Sequence, residues 1–157
     1  MRILGIDPGT GILGFGVIEI DSHNKAHLTD AGVIRTPVHE DASVRLLTIY
    51  NELTDIIKEL KPQLMSVEKL FFAQNVTTAM TVSQARGVVL LCGQQHGLKL
   101  YEYTPLQIKM ALTGYGRADK KQMQEMVRVI LGLNEVPKPD DCADALAAAL
   151  CCAQSVR

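Results

Sequence analysis

Apolar side chains change their period several times along this chain. Residues 2–7 form a short apolar run that ends at Asp7, Pro8 and Gly9, which predicts a strand and then a turn. Residues 13–20, LGFGVIEI, are rich in strand formers, and residues 26–35 read as a third strand after the turn Asp21-Ser22-His23-Asn24. Two short reversals join these three strands into an antiparallel meander. The period then switches. Leu46, Ile49, Tyr50, Leu53, Ile56, Ile57 and Leu60 follow helical spacing, and Pro62 stops that helix.

Residues 63–68 predict a short apolar strand ending at Glu68. Residues 77–95 read as a helix with small and apolar residues on more than one face. Residues 98–103 are a strand. Pro105 suits the first turn of a helix to about Leu112, and Gly114-Tyr115-Gly116 breaks it. Asp119 opens a helix to Leu131, and Asp140 opens a last one. The order βββαβαβααα predicts an α/β fold: a mixed sheet covered by helices, in one domain over residues 1–157. There is no internal repeat and no linker.

Gly9, Gly11 and Gly14 spell the dinucleotide fingerprint G-x-G-x-x-G, with Asp30 at about the right distance. That fingerprint needs a helix after the glycine turn, and here a strand follows. NAD binding is therefore excluded. Glycines in such a reversal serve positive φ angles, or the close approach of another backbone or a phosphate.

Composition narrows the picture. No apolar run approaches the ~18–20 residues of a membrane span. The N-terminus lacks the apolar core and cleavage site of a signal peptide, so a cytosolic protein is expected. Cys92, Cys142, Cys151 and Cys152 form no C-x-x-C pair and read as reduced, buried thiols. His23 and His27 fall in a turn and strand and read as surface residues. Net charge is −1, but residues 1–68 carry 6 basic and 10 acidic side chains, residues 69–128 carry 8 and 3, and residues 129–157 carry 2 and 4. The middle segment is a candidate polyanion surface, with ordinary solvated helix residues as the alternative.

The carboxylates carry the chemistry. Asp7 ends a strand beside a bare glycine turn. Glu68 ends an otherwise apolar strand, where an unpaired acid is costly; the alternative is that it points outward to solvent or Lys69. Asp141 and Asp144 are i, i+3, and Asp140 and Asp144 are i, i+4, so each pair shares a helix face. Asp140 and Asp141 also suit a helix N-terminus as caps, whereas Asp144 lies further in, among alanines and leucines. Acids converging from two strands and a helix are hard-cation ligands suited to Mg²⁺ or Mn²⁺. Two such ions ~4 Å apart support in-line phosphoryl displacement.

Three stretches, GIDPGTGILGFGVIE, VEKLFFAQN followed by TVSQARGVV, and DDCADALAAAL, together resemble the RuvC family of bacterial Holliday-junction resolvases. The likeness runs through nearly the whole chain, in order. It implies an RNase H-like fold with a mixed five-stranded sheet, three antiparallel strands then two parallel, and helices on both faces. It implies a bacterial, cytoplasmic, nucleoid-associated homodimer that nicks four-way junction DNA symmetrically in recombination and repair, leaving 5′-phosphate and 3′-hydroxyl ends. The RuvA–RuvB branch-migration complex is the implied partner.

Asp7, Glu68, Asp141 and Asp144 match the family's metal-binding acids, with two Mg²⁺ ions per site and Mn²⁺ as a substitute. Asp141 is preferred to Asp140 on the D-x-x-D spacing. Phe71 matches an aromatic placed at the junction. A ring there, leading into the polar Gln74-Asn75 stretch, stacks on an unpaired base for ~1–3 kcal/mol; the alternative is that Phe71 and Phe72 both pack in the core. Lys109 and Lys120 resemble DNA-contacting residues, and Arg117 and Lys121 lie near them. Arg86 has a DNA or a structural role. Ala79, Met80, Ser83, Gly87 and Leu90 recur at helical spacing, as core or as a dimer seam, and the resemblance favours a share in the seam.

Three other functions compete. A sugar-kinase or actin-type ATP site needs a second related domain, and 157 residues hold no second hairpin. An RNase H-like nuclease acting on structured RNA would carry similar acids. A non-catalytic junction-binding module would be expected to lack them.

Overall fold

A computed structural model describes residues 1–69 and 76–156. Five strands form one sheet: β1 (Arg2–Asp7), β2 (Ile12–Ile20), β3 (Ala26–Arg35), β4 (Leu64–Glu68) and β5 (Lys99–Tyr103). Their order is β3-β2-β1-β4-β5, with β1–β2 and β2–β3 antiparallel and β1–β4 and β4–β5 parallel. Five helices complete it: α1 (Ala42–Leu60), α2 (Val76–Gln95), α3 (Pro105–Thr113), α4 (Lys120–Leu131) and α5 (Asp140–Ser155). This is the expected element order and sheet.

Two apolar cores flank the sheet. On one face Ile49, Leu53 and Ile57 of α1 and Ala85, Val89 and Cys92 of α2 pack on Leu4, Ile6, Met65 and Val67. On the other, α3, α4 and α5 bury Ile108, Val127 and Leu146 against Ile3 and Ile18. Alternate residues of β1 therefore serve opposite cores, as a two-sided central strand requires.

Local chemistry sets the helix ends. Thr104 caps α3 and Asp119 caps α4, each accepting from the backbone N–H of a glutamine three residues on, which reaches back in turn. Gly114 and Gly132 close these helices in the left-handed conformation. All four cysteines are buried and unpaired, and His27 lies exposed against Asp21. Among the described residues no helix is long and apolar enough to cross a membrane.

α2 departs from its expected stripe. Ala79 turns into the core and Leu90 packs partly against it. Met80, Ser83 and Gly87 stand outside, with Leu91 continuing their face. A helix with apolar residues around its circumference offers no moment from which its inner face can be read. Arg86 has a structural partner, an ion pair with Glu102 of β5.

Candidate metal centre and nuclease site

Neighbouring parallel strands deliver the first two acids. β1 and β4 pair with Ile6 beside Val67, so Asp7 and Glu68 leave the same end of the sheet side by side. Crevices outside the carboxyl ends of parallel strands are where such sheets place their ligands.

The last helix delivers the others. α5 is almost wholly buried from Cys142 to Ala153. It lies directly on β1 and β2 because glycines and alanines let it. A Cβ on Gly5 would meet the Ala145 carbonyl oxygen at 1.9 Å, and one on Gly14 would meet that of Asp141 at 2.2 Å. Ser66 of β4 donates to the Ala148 carbonyl at 2.6 Å and ties the helix down further. Gly9, Gly11 and Gly14 have no positive φ; Gly14 serves the close approach of another backbone. The helix thereby brings Asp141 and Asp144 to the ends of β1 and β4.

Electrostatics tie the four acids together. Burial raises the Asp7 carboxyl to about 8, with the charges of Glu68, Asp144 and Asp141 adding to the effect and Lys120 opposing it. Burial also raises Glu68, reinforced by Asp144 and opposed by Lys109 and Lys120. Asp144 is raised by burial against the pull of Lys120. Such a crowd of half-buried oxygens favours positive charge. Oxygen-only donors of this kind fit a hard divalent cation. Among the described residues, no three His, Cys, Asp or Glu side chains already stand as a metal-holding group; the fit rests on the chemistry of the donors.

The predicted basic residues separate into two groups. Lys109 of α3 and Lys120 of α4 line a cavity of about 260 Å³ together with Glu68, Asp144, Pro105, Ile108 and Met123. Lys120 Nζ lies 3.4 Å from Asp144 and 3.7 Å from Asp140. Lys121 instead lines a larger cavity of about 720 Å³, with Tyr115, Met126 and Val136, and Arg117 stands exposed between α3 and α4. The larger cavity contains none of the four acids. Phe71, with Phe72, Gln74 and Asn75, lies outside the described residues.

Sequence reasoning missed the attachment of Lys120 to Asp140. The signal was present: Asp140 and Asp144 share a helix face, and a lysine opens the preceding helix.

Residues 3–152 match the family model described as crossover junction endodeoxyribonuclease RuvC. The chain belongs to the RuvC family. Crossover junction endodeoxyribonuclease RuvC of Desulfitobacterium hafniense is 58% identical over 156 residues, covering 99% of this chain and 94% of that one. The RuvC protein of Heliobacterium modesticaldum is 54% identical over 156 residues, covering 99% and 96%. In the solved structures, Thermus thermophilus RuvC in complex with a Holliday junction substrate superposes with a TM-score of 0.94 at 39% identity, covering 100% of this chain and 95% of that one.

Proposed function

We propose that this RuvC-family chain is an endodeoxyribonuclease that resolves four-way DNA junctions by hydrolysing phosphodiester bonds. What supports the chemistry is that Asp7 and Glu68 end neighbouring parallel strands, that Asp7 feels the charges of Glu68, Asp141 and Asp144, and that Lys109 and Lys120 line the cavity holding Glu68 and Asp144. The similarity to junction-resolving relatives supplies the substrate.

Asp7, Glu68, Asp141 and Asp144 would hold divalent cations, with Mg²⁺ the proposed ion and two per site. Bound there, the ions would lower the pKa of a water and offset charge on the departing 3′ oxygen. The chain's own residues do the rest. Lys109 reaches the cavity beside Glu68 and supplies positive charge for the phosphate oxygens. Arg117 and Lys121 hold flanking backbone, and Phe71 stacks on an unpaired base.

A four-way junction has two-fold symmetry, so a two-fold dimer presents two such sites to strands of equal polarity. Met80, Gly87 and Leu91 leave an open small-and-apolar face on α2 that suits a second copy. The RuvA–RuvB machine is the proposed partner in delivering junctions.

The test is cleavage of a labelled synthetic junction in Mg²⁺, beside a linear duplex and an RNA stem-loop. Paired nicks in the junction alone, abolished by Asp7→Asn with binding retained, are expected. Cutting of the RNA in place of the junction overturns the substrate, and binding without cutting in any metal overturns the enzyme.

A further inference from the structure

The two acids that open α5 have different surroundings. Asp141 presses on Gly14 and adds its charge to Asp7. Asp140 faces α4, where Lys120 Nζ touches it at 3.7 Å while touching Asp144 at 3.4 Å. Asp140 is about half exposed, Lys120 slightly more so, and Asp144 is the most buried of the three. One ammonium is thus shared between an inner carboxylate and an outer one.

Sharing follows from helix geometry. Asp140 and Asp144 stand one turn apart on one face of α5. Lys120 is the first residue of α4, directly after a capping box that fixes where the helix begins. A rigid helix start aims the flexible lysine stem at both carboxylates. Moving from both partners to one requires only a small swing of the side chain. Exposed ion pairs of this kind are weak enough to exchange readily.

A divalent cation entering at Asp144 competes with that ammonium for the same oxygens. We propose that Asp140 is a positioning residue that receives Lys120 when a divalent cation takes Asp144, so that the lysine leaves the acid cluster without losing its partner. This rests on the reading of Asp7, Glu68, Asp141 and Asp144 as metal ligands. Without Asp140, Lys120 has only Asp144 to hold, and the cation must displace it outright. Without Lys120, Asp140 acts on the cation only through its own distant, solvent-screened charge.

The experiment is a double-mutant cycle in Mn²⁺ affinity, read by calorimetry and electron paramagnetic resonance on the full chain without DNA. Wild type beside Asp7→Asn comes first: Mn²⁺ binding weakened by Asp7→Asn supports the metal site, and identical binding in the two overturns that reading and this proposal together. With the site supported, Asp140→Asn is expected to weaken binding roughly fivefold in the wild-type background and less than about twofold in a Lys120→Met background. Lys120→Met alone tightens binding, and Asp140→Glu restores the wild-type value. A merely structural role for Asp140 would move the melting temperature, not this coupling. Equal losses from Asp140→Asn in the two backgrounds, or none in either, overturn the exchange while leaving the metal site in place.

Discussion

Gly14 and Asp141 meet backbone to backbone: a Cβ on Gly14 would sit 2.2 Å from the Asp141 carbonyl oxygen. The second strand carries no side chain there because the first turn of α5 occupies the space. Gly14→Ala must therefore push α5 outward. The expected loss is ~1–3 kcal/mol of stability, the usual cost of overpacking, with a larger fractional loss of cutting because Asp141 moves away from Asp7. Thermal melts and single-turnover cleavage check it. A variant with wild-type melting and cutting would show that α5 does not rest on this glycine.

Asp7 makes a second prediction, for protein held in chelator. The folded chain keeps a proton on Asp7 up to about 8, whereas the unfolded chain releases it near 3.8. The folded state binds more protons within that window, so stability falls as pH rises from about 4 to about 8. Asp7→Asn removes the ionisation. Its melting temperature should exceed wild type by an amount that grows from pH 5 to pH 8, with at least ~1 kcal/mol at the upper end. Millimolar Mg²⁺ should stabilise wild type more than the variant and narrow the gap. Coincident melting curves across the range would mean that Asp7 is well solvated.

The two basic groups should fail differently. Arg117 is exposed and does not line the cavity that holds Glu68 and Asp144, so Arg117→Ala should weaken junction binding and reduce the slope of log affinity against log salt by ~1. Lys109 lines the acid cavity, so Lys109→Ala should depress the single-turnover rate at saturating junction by roughly 10²-fold, with a smaller effect on binding. Filter binding over a salt series and rapid-quench cleavage separate the two. Identical behaviour would mean that both residues simply hold backbone.

Met80→Glu with Leu91→Glu places two charges on the exposed face of α2. The expected product is a folded monomer by sedimentation, with paired nicking replaced by slow single nicks. A stable dimer carrying both changes would move the seam away from this face.

Much of this fold was legible because each element announces its own ends. The capping pairs Thr104 with Gln107 and Asp119 with Gln122, the glycines after α3 and α4, and the switch from strand to helical spacing before Leu46 are local signals. Glu68 and Asp144 stand out as candidates because each interrupts apolar surroundings, whereas Asp141 is distinguished from Asp140 only by the spacing that the family resemblance implies. What the sequence hid depends on contacts between distant segments. The inner face of α2 is hidden because its apolar residues run around the helix. The partner of Lys120 is hidden because Asp140 lies twenty residues away along the chain. The reason for Gly14 is hidden because the object that fills its space is a helix far down the chain.

α5 meets the sheet largely through backbone and small side chains, with the long Leu146 accommodated over Gly16. Its alanines work like thin shims, setting the gap between helix and strands at a value no larger residue can reproduce. Asp141 and Asp144 inherit their places from that gap. The calibration of the acid cluster is thus stored in residues that have no chemistry of their own, such as Gly5, Gly14, Ala145 and Ala149. Added methyl groups at these positions should detune the enzyme as surely as a lost carboxylate, while every acid remains present in the sequence.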